Sequence, residues 1–565
     1  MTLIVILGYI VLLLSLGLFS TRLFKKTSGD YFLASRGIGP FMLLMSIFGT
    51  TMTAFALVGS TGRTFEKGVG VYGLMASWSG IIHSACFFLL GAKVWAFGKK
   101  HGYLTQISFF RDRYRSAVLG VLLFLVMVPF VMIYILMGVV GSGRVISSLT
   151  PETWACEDVR TEITVSPEVA VDRLEIPSDW QDRLSWDSDT RTLGLVGSIA
   201  PKRRLELMRM NPGGGKAWAG AVGQLVGQAP RGAVPYGVGM GLICLVVLIY
   251  VFFGGMRATA WANTFQTIVF MIMGLIAFAV ILSALGGPEA ATQQLLESPG
   301  KDRMVREGHI GQMQFLTYCF IPLSVGMFPH LFQHWLTAKS GNAFKLTVVA
   351  HPLCIAITWI PCVLLGMWAA SVLPLHTNPN AVLGMMVNKF SGEILSGLIG
   401  AGILAAIMSS MDSQFLCLGS MFTNDFVVQL VGKDRFSDRQ RIQLGRVFVL
   451  VIVLVTFLIG LFEPATVFPM GVWCFSGFAS LFPVAFAAVY WKRSNKYGAI
   501  AAVLSVAVLW CVFLPEAIQG EFLIAGMMPV TVLFVVSTTA LVVGTLLTPA
   551  PESSLVEKFF PKAEK

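Results

Sequence analysis

Apolar residues run through this chain in stretches long enough to cross, as helix, the roughly 30 Å hydrocarbon core of a bilayer. Twelve clear stretches and one shorter one lie at 2–21, 41–62, 71–95, 117–148, 235–255, 260–286, 314–338, 346–373, 393–423, 444–462, 467–490, 498–513 and 522–547. A water-soluble fold cannot hide so much. Charged residues are only 13% of the chain, against about 25% in ordinary globular domains. Of the 41 Lys and Arg and 30 Asp and Glu, residues 149–234 alone hold 22. The expectation is an all-α membrane protein with thirteen transmembrane helices in a lipid bilayer.

Loop charge sets the orientation. Putting the N-terminus outside and the C-terminus in the cytoplasm leaves 23 Lys and Arg in the inner loops and tail and 6 in the short outer loops, as the positive-inside rule requires. The net charge of +11 is therefore a topology signal, and no nucleic acid partner is expected. Arg22, Lys25 and Lys26 follow the first stretch instead of preceding it, so it reads as a helix and not a cleaved leader. Four regions result: helices 1–4 over 1–148, an extracytoplasmic insert over 149–234, helices 5–13 over 235–548, and a short cytoplasmic tail over 549–565. The location expected is the cell (inner) membrane. The insert, with Trp154, Trp180 and Trp186, reads as a small folded cap. Its NPGGGK (211–216) lacks the spacing of a phosphate loop and reads as a turn. Nine cysteines include no CxxC pair, so they read as packing residues.

Two stretches carry break signals. The second contains SIFGTTMTAFALVG (46–59) and the seventh IPLSVGMFPH (321–330). Their offset of five reverses direction through the membrane. This fits a 5+5 inverted repeat over helices 2–6 and 7–11, with one extra helix before it and two after. Such broken pairs place a binding site at mid-membrane, where freed carbonyls meet a cation. In the ninth stretch, Ala406 and Ser409 share a helix face with Ser410 adjacent. Neutral oxygens of this kind suit a hard monovalent cation. The alternative is hydroxyls bonding back to their own helix. Asp412, one turn on, is costly in an apolar helix and is a candidate for coupling, by balancing a cation or carrying a proton; a structural bond is the other reading. Of His83, His330, His334 and His351, the pair His330 and His334 stands four apart but lacks the Glu of HExxH, so no metal catalysis is expected.

DYFLASRGIG (30–39), YVFFGGMRATAWANTFQ (250–266), AAIMSSMDSQ (405–414) and AVYWKRSNKYGAIAA (488–502) together resemble the sodium:solute symporter family. The resemblance implies a leucine-transporter-like fold and one co-transported sodium between the second and ninth helices. Mapped by motif, its ligands would be the carbonyls of Gly49, Met52 and Ala406 and the hydroxyls of Ser409 and Ser410. The chain departs from the family at Asn263, where many members carry Asp, which makes coupling to two sodium ions doubtful. Thr51 replaces an acid of proline carriers, and Phe55 and Ala56 replace polar groups of sugar carriers.

The solute site expected from the repeat is lined by Thr53, Phe55, Tyr134 and Val325. With few charges and few polar groups for a polyol's hydroxyls, it fits a small organic solute such as a monocarboxylate, vitamin or amino acid. The function expected is sodium-coupled import by alternating access. The alternatives are a proton-coupled transporter of the same fold and a non-transporting solute sensor. No nucleophile–base pair or metal cluster supports an enzyme, and no obligatory protein partner is implied.

Overall fold

The structure is a computed structural model. It describes every residue except 21–26, 74–77, 152–159, 168–175, 177–179, 181–182, 197–206, 208–209, 212–214, 229–232, 433–434, 520–521 and 562–565. Helices dominate: α1 Thr2–Ser20, α2 Pro40–Thr51, α3 Phe55–Lys67, α4 Trp78–His101, α5 Ala117–Leu149 and α6 Tyr236–Ala284. After these come α7 Gln312–Gly326, α8 Pro329–Thr337, α9 Ala343–Val372, α10 Glu393–Met421, α11 Asp438–Gly460, α12 Val467–Tyr490, α13 Lys496–Gln519 and α14 Pro529–Leu546. Among the described residues, nine helices are long and apolar enough to cross a membrane, or eleven if each bent pair is one span.

The bent pairs fall where glycine, threonine and proline signal breaks. α2 and α3 meet at 54°, and α7 and α8 at 50°. At the first break Met52 leaves helical geometry (φ −86°, ψ 98°), and its amide closes the last turn of α2 on Phe48 O. The hydroxyl of Thr53 accepts the amide of Phe55, and α3 opens with a π-turn over Phe55–Gly59, a wide turn common at functional sites. At the second break α7 tightens to 3₁₀ geometry over Tyr318–Gly326, and Pro329 starts α8, a position where a missing N–H costs nothing.

The stretches at 235–255 and 260–286, expected as separate helices, are the two arms of α6, parted by the non-helical backbone of Gly255 (φ 57°, ψ −152°); Tyr250 on the first arm and Asn263 on the second reach the neighbouring Asp412 and Ser413. Glycine is needed here twice over. Its φ is left-handed, and a Cβ would lie 2.6 Å from the Tyr31 backbone oxygen. The same end of the bundle is closed by the 30–39 segment. Arg257 pairs with the buried Asp30 at 2.8 Å, Gln333 of α8 donates to Phe32 O at 2.7 Å, and Ile38 bridges Ala338 just beyond α8. The buried Arg113 donates to the carbonyls of Ala488 and Trp491 at the end of α12. Two of the recognised motifs, at 30–39 and 250–266, are thus in direct contact.

The insert has a core of its own. Strands β1 Arg160–Thr164, β2 Leu184–Asp187 and β3 Thr192–Val196 form an antiparallel sheet in the order β1-β3-β2. The helix Gly215–Gln228 covers it. Trp180, Leu193, Leu195 and Trp218 are buried there, with Trp186 at the margin. Trp154 lies outside the described residues, as do positions 212–214 of NPGGGK. The Val234 amide donates to Thr150 Oγ1 at 3.2 Å, closing the base of the insert against the end of α5.

Candidate functional site

The break in α2 leaves the Gly49 carbonyl beyond the last amide that closes the helix. Ser409 of α10 meets it: Ser409 Oγ lies 2.8 Å from Gly49 O and 2.9 Å from Ala406 O. Three of the five expected sodium ligands therefore converge across two helices, all buried. The approach depends on Gly49 having no side chain, because a Cβ would sit 2.3 Å from Thr267 Oγ1 on α6. Ser410 is one residue away, but its hydroxyl donates back to Ile407 O at 2.9 Å. Among the described residues no hydrogen bond joins Ser410 or Met52 O to the Gly49–Ser409 group.

One turn along α10 lies a second polar group. Asp412 is fully buried; its Oδ2 accepts from Tyr250 at 2.9 Å and its Oδ1 from Ser413 at 3.0 Å. Ser413 Oγ in turn lies 2.9 Å from Thr50 Oγ1 and 3.0 Å from His334 Nε2. Asn263 Nδ2 donates to both Thr50 and Ser413. α2, α6, α8 and α10 are thus pinned together by side chains whose isolated burial in hydrocarbon would be costly.

Thr51 turns the other way. Its hydroxyl donates to Phe48 O at 2.8 Å and sits 3.2 Å from His351 Nε2 on α9. With its proton committed to Phe48, Thr51 accepts from His351. This residue lines a cavity with His83, Phe55, Tyr134, Trp359 and Phe475. Phe55 stacks on Phe468 and meets Phe475 edge-on, each at 5.0 Å, and Tyr134 packs against Phe328, His330 and Phe475. Two of the four expected solute contacts, Phe55 and Tyr134, line this cavity. Thr53 and Val325 are buried beside it, and on α7 the lining falls to Ile321 and Ser324 instead. Tyr318 also borders a wider vestibule flanked by Arg63, Glu66 and Phe468, at the end of the bundle away from the 30–39 segment.

Sequence reasoning does not assign the histidines a role. His83, His330, His334 and His351 are all buried, two beside the cavity and one in the Asp412 group. The signal available is simple: an imidazole inside an apolar stretch is itself a polar group in a membrane interior.

The model of the sodium:solute symporter family matches residues 31–151 and 230–505. A sodium/proline symporter of Staphylococcus aureus (strain bovine RF122 / ET3-1) is 24% identical over 409 residues, covering 70% of this chain and 76% of that protein. The osmoregulated proline transporter OpuE of Bacillus subtilis (strain 168) is 22% identical over 561 residues, covering 98% and 96%. Among solved structures, a Na⁺-coupled sialic acid symporter in a substrate-bound outward-open state superposes with a TM-score of 0.66 at 15% identity, covering 98% of each chain. Mhp1, a nucleobase-cation-symport-1 family transporter in a closed conformation, gives 0.53 at 11% identity, covering 94% and 97%. These two likenesses concern the fold.

Proposed function

The chain belongs to the sodium:solute symporter family, and we propose that it imports a small organic solute by alternating access, driven by one sodium ion held at the break of α2. The carrying observation is the convergence of Gly49 O, Ala406 O and Ser409 Oγ within 2.9 Å. Met52 O and Ser410 Oγ complete the proposed ligand set, Ser410 by turning from Ile407 O. Neutral oxygens around a site enclosed by helices match a monovalent cation and leave no place for a divalent one. The solute site is the cavity of Phe55 and Tyr134, with Thr53 and Val325 behind its wall.

Thirteen spans, the 5+5 inverted repeat, an outside N-terminus and a cytoplasmic C-terminus in the cell membrane belong to the same proposal. Support comes from the two breaks, five apolar stretches apart in the sequence, and from the charge of the loops. In operation, sodium joins α2 to α10 and holds the outer vestibule accessible. Solute binding beneath Tyr318 lets the Asp30–Arg257 end open. One charge moving through 100 mV contributes about 2.3 kcal/mol, and a tenfold sodium gradient contributes about 1.4 kcal/mol more. The test is the melting temperature of the purified protein in NaCl against choline chloride at equal ionic strength: sodium stabilises the wild type, and equal melting in both salts refutes the site.

A second reading, proton coupling, has Asp412 as its support, a buried carboxylate whose oxygens accept from the hydroxyls of Tyr250 and Ser413. Asp412→Asn separates the two. Sodium-driven uptake that survives the change excludes Asp412 as the carrier; uptake driven by a pH gradient in sodium-free buffer, lost in the variant, establishes it.

A further inference from the structure

The cavity beside the α2–α3 break holds two buried polar groups that no described residue satisfies. His83 on α4 is 7% exposed and Trp359 on α9 is 4% exposed; both line the cavity, and neither His83 Nδ1 nor Trp359 Nε1 has a hydrogen-bond partner among the described residues. A buried polar atom left without a partner is uncommon and costly enough to call for a reason. We propose that His83 receives the carboxylate of a small monocarboxylic solute, and that the indole N–H of Trp359 meets a second acceptor on the same molecule.

Three observations lead to a carboxylate. The first is the sign of the free valences. An indole N–H only donates, and a neutral imidazole always carries one N–H; a carboxylate selects the tautomer with that proton on Nδ1. Thr51, the hydroxyl nearest the imidazoles, has its own proton on Phe48 O. Trp359 thus offers a donor, and His83 offers a second in that tautomer.

The second is charge. No Asp, Glu, Lys or Arg lines the cavity among the described residues, so an ammonium group has no carboxylate to meet there, and burying it unpaired is expensive. Amino acids are disfavoured on that ground. A solute bearing one negative charge is balanced by the one sodium that enters with it; the inference rests on the sodium-coupled reading at this point.

The third is the support behind His83. Its ring lies 5.4 Å from that of His351, whose Nε2–H is directed at Thr51 on the last turn of α2. The His83 ring is thus packed beside an imidazole that is itself held by a hydrogen bond. Trp359 follows His351 by eight residues, about 12 Å along α9, and Phe55 and Phe475 are apolar walls of the same cavity.

The test measures melting of the purified full-length protein in NaCl and in choline chloride. Each salt is used alone and with propionate, pyruvate, benzoate or 4-hydroxybenzoate, and with the amide of each acid. At least one acid is expected to stabilise the protein in sodium, with its amide at least tenfold weaker. His83→Phe should then weaken that acid about tenfold to a hundredfold while leaving stabilisation by sodium alone unchanged. Sodium stabilisation with no response to any acid overturns the inference and spares the sodium reading. An amide that binds as well as its acid also overturns it, as does a His83→Phe protein that binds like the wild type. An acid that binds equally in choline leaves the inference standing and removes the sodium reading, whereas no response to sodium or to acids removes both. Should His83→Phe not fold, the acid–amide comparison in the wild type and the weakening by Trp359→Phe distinguish the same outcomes.

Discussion

Ser409→Ala removes one hydroxyl from between two carbonyls, 2.8 Å from Gly49 O and 2.9 Å from Ala406 O. Without sodium the loss is an ordinary interhelical hydrogen bond, about 1 kcal/mol of stability. With sodium bound, the loss is an oxygen facing a charge, about 1.5–3 kcal/mol; the difference of roughly 0.5–2 kcal/mol raises the sodium concentration for half-saturation roughly twofold to thirtyfold. Ser410→Ala should move it less, because in this state the Ser410 hydroxyl is spent on Ile407 O. The assay is melting temperature against NaCl concentration, with choline chloride holding ionic strength constant, for the wild type and both variants. A Ser409→Ala curve that overlays the wild type removes Ser409 from the ligand set. So does a larger effect at Ser410, which would mean that the α2–α10 contact is mere packing.

Other outcomes can be checked independently. Gly255→Ala should destabilise the protein, since the new Cβ meets Tyr31 at 2.6 Å with φ at +57°; overpacking costs about 1–3 kcal/mol, read as a lower melting temperature in detergent. Deleting 155–230 should leave a folded, monodisperse membrane core on size exclusion, because Trp180 and Trp218 pack within the insert's own cluster and not in the helical one. The helix Ser553–Phe559 docks through Lys558, 2.8 and 2.6 Å from the two oxygens of Asp112. Burial raises the Asp112 carboxyl, but hydrogen bonds from Lys558 and Tyr103 outweigh it and leave it below its usual 3.8. For a carboxylate lowered by folding, the stabilisation is present above 3.8 and disappears as pH falls through the depressed value. Hydrogen exchange over 553–559 should therefore stay slow across the neutral range and accelerate only in stronger acid, whereas Lys558→Ala should release the helix at neutral pH.

The breaks are legible in the sequence because they are local. Gly49 with its run of threonines, and Pro322 with Pro329, interrupt the backbone ladder wherever they sit, and the bends appear within those runs. The Gly49–Ser409 meeting is legible through the resemblance of AAIMSSMDSQ, since nothing in either stretch alone says that residues 360 apart will touch. The imidazoles are not legible for the same reason. His83 gains its meaning from His351, and His334 from Ser413; each pair is joined only by packing of distant helices. The parting at Gly255 is legible because it too is local: a glycine pair shortly before an arginine ends one apolar stretch, and the two arms of α6 separate there.

Thr50 and Thr51 are consecutive, yet the first is bound into the Asp412 group and the second into the wall of the cavity. Neighbouring α-carbons are fixed 3.80 Å apart, so neither environment can rearrange without dragging the other. A transporter leaks when cargo and driving ion move on separate schedules. With sodium beside Gly49 and the solute in the cavity, as proposed above, the Thr50–Thr51 turn ties the two schedules together, and loosening it should show itself as slippage, ions crossing with no solute aboard.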